Sequence, residues 1–161
     1  MKFLFQVLFV IVLVCGMVVP RSFAGGKPAP NFAFKTADGN TVELKNLAGK
    51  VVLINFWATW CGPCRAEIPG MLEVYKKYKA KGLEIVGISL DSQGWGVVKP
   101  FVEKMNIDYL VVVGDPQVVS DYGNFQGIPT TFVVDRKGNI VVEHTGAVSK
   151  AYLEQMIKPF L

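Results

Sequence analysis

Between Val51 and Trp57 the chain is apolar at every position but Asn55, and this run opens directly onto Ala58-Thr59-Trp60-Cys61-Gly62-Pro63-Cys64. An unbroken apolar run of this length is expected of a strand covered on both faces. Pro63 suits the first turn of a helix, where a missing N–H costs nothing. The pattern that follows predicts a helix over Pro63–Lys81, with a basic last turn and Gly82 as its stop. The two cysteines therefore sit at the junction of a buried strand and a helix N-terminus, one turn apart on one face.

The chain has three cysteines, and Cys15 lies in the N-terminal segment, so the folded part holds only Cys61 and Cys64. A bridge that encloses two residues constrains the unfolded chain very little, which makes it poorly placed as a structural staple. Disulfide exchange needs a thiolate nucleophile, a good leaving thiol and access. At a helix mouth, free N–H groups and the macrodipole favour negative charge, and this lowers the pKa of Cys61 below that of a free thiol. Cys61 is then the attacking sulfur and Cys64 the one that resolves a mixed disulfide.

Residues 1–24 have the form of a secretory signal. Lys2 supplies a short basic start, Phe3 to Val19 carries no charge, and Ser22-Phe23-Ala24 offers small residues before a cut at Gly25. The alternative is an uncleaved membrane anchor, since the apolar stretch sits at the lower edge of what spans a bilayer. Either reading puts residues 25–161, expected to be one domain, in the periplasm or at the outer face of the cytoplasmic membrane. The formal charge of +4, without a basic cluster, does not point to nucleic acid.

Elsewhere, Asp38-Gly39 between Asn31–Lys35 and Thr41–Leu44 signals a hairpin. Strands are expected at Leu83–Leu90, Tyr109–Val113, Thr131–Val134 and Ile140–Thr145. Helices are expected at Val97–Met105, around Val118–Tyr122, and from a Ser149 cap to Ile157. Strands alternating with helices imply an α/β domain: a central mixed sheet with helices on both faces, closed by an antiparallel hairpin and preceded by an N-terminal β-hairpin extension.

Other uses of a C-x-x-C pair lack their partners. Structural zinc needs four ligands, and the folded part offers two cysteines and the distant His144, which reads as a surface residue of an alternating strand. Haem attachment wants a histidine where Arg65 stands. A peroxidatic Pro-x-x-x-Thr-x-x-Cys pattern would need proline and threonine where Ile54 and Ala58 stand. No dissociable cofactor and no metal is expected.

Three segments in order, Pro28-Ala29-Pro30-Asn31-Phe32, Val52 through Cys64, and Gly127-Ile128-Pro129-Thr130, resemble the thioredoxin superfamily. The resemblance is to its TlpA/ResA-like, redoxin-like (AhpC/TSA-like) extracytoplasmic branch, and it spans nearly all of residues 28–161. It implies a thioredoxin-like fold and thiol–disulfide oxidoreductase activity carried by a Cys61–Cys64 disulfide. It also implies a cis Pro129 lying against that disulfide, with Trp60, Ile128, Pro129 and Thr130 forming the surface that meets an extended substrate. Glu67, three residues past Cys64 on an otherwise apolar helix face, matches a functional glutamate of ResA-like proteins. Asn55 stands where cytoplasmic thioredoxins keep a buried aspartate, so acid/base duty is expected to move to Glu67.

The Gly62-Pro63 insert resembles that of reducing thioredoxins. The expected role is thus a monomeric reductant of exported thiol proteins such as apocytochromes c, fed by a membrane-embedded thiol protein. A thiol oxidase or isomerase of the same fold, or an adaptor or chaperone-like module with an incidental dithiol, are the alternatives.

Overall fold

The computed structural model describes residues 26–161; the expected targeting segment lies outside them. Among the described residues no helix is long and apolar enough to cross a membrane. Seven strands and four helices follow in the order β1 (Ala33–Lys35), β2 (Thr41–Glu43), β3 (Val51–Trp57), α1 (Gly62–Tyr78), β4 (Leu83–Ser89), α2 (Trp95–Lys104), β5 (Leu110–Val113), α3 (Pro116–Asp121), β6 (Thr130–Val134), β7 (Ile140–Thr145) and α4 (Lys150–Ile157).

The central sheet has the order β5-β4-β3-β6-β7. Strands β3, β4 and β5 run parallel, whereas β6 is antiparallel to β3 and β7 to β6. The apolar run of β3 thus occupies the middle of the sheet, which explains why every residue of it is buried. Its side chains alternate between two cores. Val51, Leu53 and Trp57 pack with residues of α1, α2 and α4. Val52, Ile54 and Phe56 pack on the other face against Phe32, Val42 and Leu44 of the N-terminal segment and Val118 and Tyr122 of the α3 region. Burying Phe56 or Phe132 there contributes roughly 1.5–3 kcal/mol each. The expected layering is therefore present, with one difference of emphasis. The second face is covered by one short helix together with the separate β1–β2 sheet.

Strands fall within one or two residues of expectation, and helix ends differ more. Helix α1 gives way at Lys79–Lys81 to a tighter turn, and Gly82 takes the left-handed conformation at φ 94° that stops it. Helix α2 starts two residues early, because Gly94 adopts φ 62° and turns the chain into it. At Ser149 the expected cap forms, its hydroxyl accepting the Tyr152 N–H at 3.3 Å.

Candidate active site

Cys61 is the N-cap of α1. Its Sγ accepts the Cys64 N–H at 3.2 Å, so one of the unpaired donors of the helix mouth is aimed at this sulfur. Cys61 and Cys64 are joined as a disulfide across a Cα–Cα distance of 5.3 Å. Cys64 is 1% exposed and Cys61 5%. Of the two residues, Cys61 is the more exposed.

On the inner side of α1, Cys64, Glu67, Ile68 and Met71 are all buried, as their spacing predicts. Glu67 is 4% exposed. Its Oε1 accepts from Asn55 Nδ2 at 2.8 Å and its Oε2 from the Val148 N–H at 3.1 Å. Burial pushes the Glu67 carboxyl above the usual carboxylate range, and these two donors pull against it. Asn55 also donates to Thr131 Oγ1 at 3.1 Å. The amide in the middle of β3 is therefore a bridge between the β6 strand and the Glu67 carboxylate. Burial, and then the Glu67 charge, push the Tyr109 phenol up.

The loop before β6 closes the other side. The Ile128–Pro129 peptide bond is cis, and the Ile128 carbonyl oxygen lies 3.7 Å from Cys61 Sγ. Trp60, next to Cys61, is 70% exposed. Pro129 is buried, and Thr130 is fully buried. The Thr130 hydroxyl donates to the Gly127 carbonyl at 2.7 Å. Thr130, expected on the substrate surface, thus braces this loop from beneath; the exposed elements are Trp60 and the half-buried Ile128.

Two further contributors come from distant parts of the chain. Val148 reaches Glu67 through its backbone. Asp91, just past β4, accepts the Thr59 N–H and hydroxyl, and so ties the turn that precedes Cys61 to the neighbouring strand. The signal for Asp91 was its position: one acid immediately after an apolar strand that neighbours β3. His144 lies on β7 with its ring 5.1 Å from that of Tyr152, half-buried. Among the described residues no cluster of three or more His, Cys, Asp and Glu side chains is arranged to hold a metal ion.

A helix capped by a bridged C-x-x-C pair at the end of a central sheet strand, faced by a cis-proline loop, defines a thioredoxin-fold thiol–disulfide oxidoreductase. Residues 25–143 match the AhpC/TSA family, and the chain belongs to it, among its ResA-like thiol–disulfide oxidoreductases. The thiol–disulfide oxidoreductase ResA of Bacillus thuringiensis subsp. konkukian is 36% identical over 98% of this chain and 95% of its own length. ResA of Bacillus cereus is 39% identical over 83% of this chain and 76% of its own. Among solved structures, a thioredoxin-family thiol:disulfide interchange protein from Chlorobium tepidum is 36% identical with a TM-score of 0.78, covering 85% of this chain and 97% of that one.

Proposed function

We propose that this protein reduces disulfides of exported proteins, apocytochromes c among them, from the periplasm or the outer face of the cytoplasmic membrane. The observation that carries this reading is the Cys61 sulfur held at the mouth of α1 with the Cys64 N–H 3.2 Å away. The Cys61 thiolate attacks one sulfur of the substrate disulfide; a new S–S bond forms and the substrate's bond breaks, releasing a substrate thiolate. Cys64 gives its proton to the Glu67 carboxylate, and its thiolate attacks Cys61 Sγ. The internal disulfide closes and the second substrate thiol leaves, so two electrons have passed to the substrate. A donor dithiol, supplied by a membrane-embedded thiol protein, restores the reduced pair. Trp60 and Ile128 present the surface that meets the substrate, with Pro129 and Thr130 shaping the loop behind it.

The charge-free segment Phe3–Val19 supports export, either as a cleaved signal or as an anchor, and residues 25–161 act as one monomeric domain. The Gly62-Pro63 insert supports the reducing direction, because thioredoxin, which it resembles, has a potential near about −270 mV against about −120 mV for the oxidant DsbA. The test is a redox titration of the purified protein against thioredoxin, together with insulin-disulfide reduction. A potential near the oxidant's value reverses the direction of electron flow, and a folded protein with reactive Cys61 but no insulin reduction favours the adaptor reading.

A further inference from the structure

Asp91 is 4% exposed. Three hydrogens converge on its carboxylate: the Thr59 N–H at 2.9 Å, the Thr59 hydroxyl at 2.6 Å and the Ser89 hydroxyl at 2.8 Å. Its own N–H returns to Ser89 Oγ at 3.1 Å. Every partner of the side chain is a neutral backbone or hydroxyl group, so no cation stands among the contacts of this carboxylate. None of the ion pairs among the described residues includes Asp91. A negative charge therefore sits buried without a countercharge.

Its location matters. Thr59 occupies the turn closed by the Cys61 N–H on the Ala58 carbonyl at 3.1 Å. Asp91 holds that turn by its backbone and its side chain together, two residues before Cys61. We infer that Asp91 is a positioning and charge-setting residue for Cys61: it fixes the turn that delivers the sulfur to the helix mouth, and its charge opposes the helix in forming the Cys61 thiolate. Since the disulfide carries no charge and the thiolate does, the same repulsion shifts the pair toward its disulfide form, which is the bias a reductant needs. The inference rests on Cys61 as the attacking thiol.

The other charged groups around this sulfur leave Asp91 distinctive. Arg65, in the first turn of α1, is exposed and screened by water. Glu67 lies beneath α1 with its own donors. Asp115, which lines the same cleft as Asp91, is occupied in capping α3 through the Val118 N–H at 2.9 Å.

At an effective dielectric constant of about 20, a unit charge acting over roughly 12 Å is worth about 1.4 kcal/mol, so removing it changes the acidity of the thiol by about tenfold. Nucleophilicity falls as the thiol becomes more acidic, with a Brønsted slope of about 0.5, so below the thiol midpoint the net gain in alkylation rate is about threefold. The experiment measures iodoacetamide alkylation of Cys61 against pH in the reduced protein, for wild type, Asp91→Asn and Thr59→Val. Asp91→Asn is expected to move the midpoint to lower pH and to raise the rate below it about threefold. Above the midpoint, its equilibrium with thioredoxin should shift about tenfold toward the dithiol. Thr59→Val, which keeps the charge and loses one bond, should leave the midpoint in place.

A midpoint that stays or rises in Asp91→Asn, or that falls equally in Thr59→Val, overturns the proposal. Should Asp91→Asn fail to fold, the side-chain carboxyl carbon shift of Asp91 in the wild-type protein decides: the ionised shift at pH 7 supports the assignment and the protonated shift overturns it. Labelling mapped to Cys64 in wild type would instead sink the Cys61 reading itself.

Discussion

Asn55→Asp is the most searching perturbation of the buried side of the site. It places a carboxyl where an amide nitrogen now donates to Glu67 Oε1 at 2.8 Å. Asn55 is 3% exposed and Glu67 4%. Two acids this close and this dry cannot both ionise, so the folded protein retains one shared proton. The unfolded chain releases that proton near pH ~4. A proton held more tightly in the folded state is a raised folded-state pKa. Its stabilising contribution is then full below the unfolded value and lost as pH climbs toward the folded one. The loss runs at about 1.4 kcal/mol per pH unit, or about 3.4 kcal/mol from pH 4.5 to pH 7 for one retained proton. For a domain of this size that is about 10 °C in Tm. Wild-type Glu67, raised by burial alone, loses stability in the same direction but less. The difference between variant and wild type is therefore the quantity to read, from urea unfolding of the oxidised proteins at pH 5, 6, 7 and 8. A destabilisation that is the same at every pH would refute the reasoning, because it would mean that the two carboxyls do not share a site.

Brief iodoacetamide treatment of the reduced protein should label Cys61 ahead of Cys64, with peptide mass mapping as the check. Glu67→Gln should fold, slow the exchange reaction, and lack the rise in rate expected of wild type as pH climbs through the raised Glu67 midpoint; an unchanged stopped-flow pH profile would make Glu67 structural only. Trp60→Ala should change stability by less than about 0.5 kcal/mol, since the side chain is exposed, yet raise KM for protein disulfides in the insulin assay. Gly87→Ala should cost about 1–3 kcal/mol in chemical denaturation, because a Cβ there would meet Trp57 Nε1 at 3.0 Å and Tyr109 Cε2 at 3.2 Å.

The readable parts of this molecule were those set by local pattern. The apolar run at Val51–Trp57 pointed to a strand covered on both faces, and Pro63 after Cys61 to the first turn of a helix. Asp38-Gly39 turned where its residue types require, with Gly39 at φ 87°. Even the burial of Glu67 was legible, because its neighbours on the helix face are apolar. What escaped was whatever depends on distant chain. Val148 meets Glu67 across 81 residues, Thr131 meets Asn55 across 76, and Asp91 meets Thr59 across 32. No periodicity encodes such pairs; they follow from strand order. Thr130 was placed on the substrate surface for a related reason, since a motif gives its position in sequence but not the direction of its side chain.

Strand order also explains why these groups meet at one place. Trp57 pairs with Ser89 at the end of β3 and β4, and Phe56 pairs with Thr130 at the start of β6. Three chain segments must therefore leave the sheet at one edge: Ala58–Trp60 from β3, Leu90–Asp91 from β4, and Gly127–Pro129 leading into β6. Cys61 stands where they converge. The alternation of β3 then sorts its side chains, with Asn55 on the α1 side among Leu53 and Trp57, within reach of Glu67. A slip of one residue in the β3 register would turn Asn55 to the opposite face, toward the core of Phe32 and Phe132, and leave the buried carboxylate without its amide donor. Because β3 is buried on both faces, such a slip would still leave its apolar residues covered, although repacked. The polar bonds of Asn55 to Glu67 and Thr131 are what make one register better than its neighbour, so the residue that breaks the apolar run is also the one that fixes it in place.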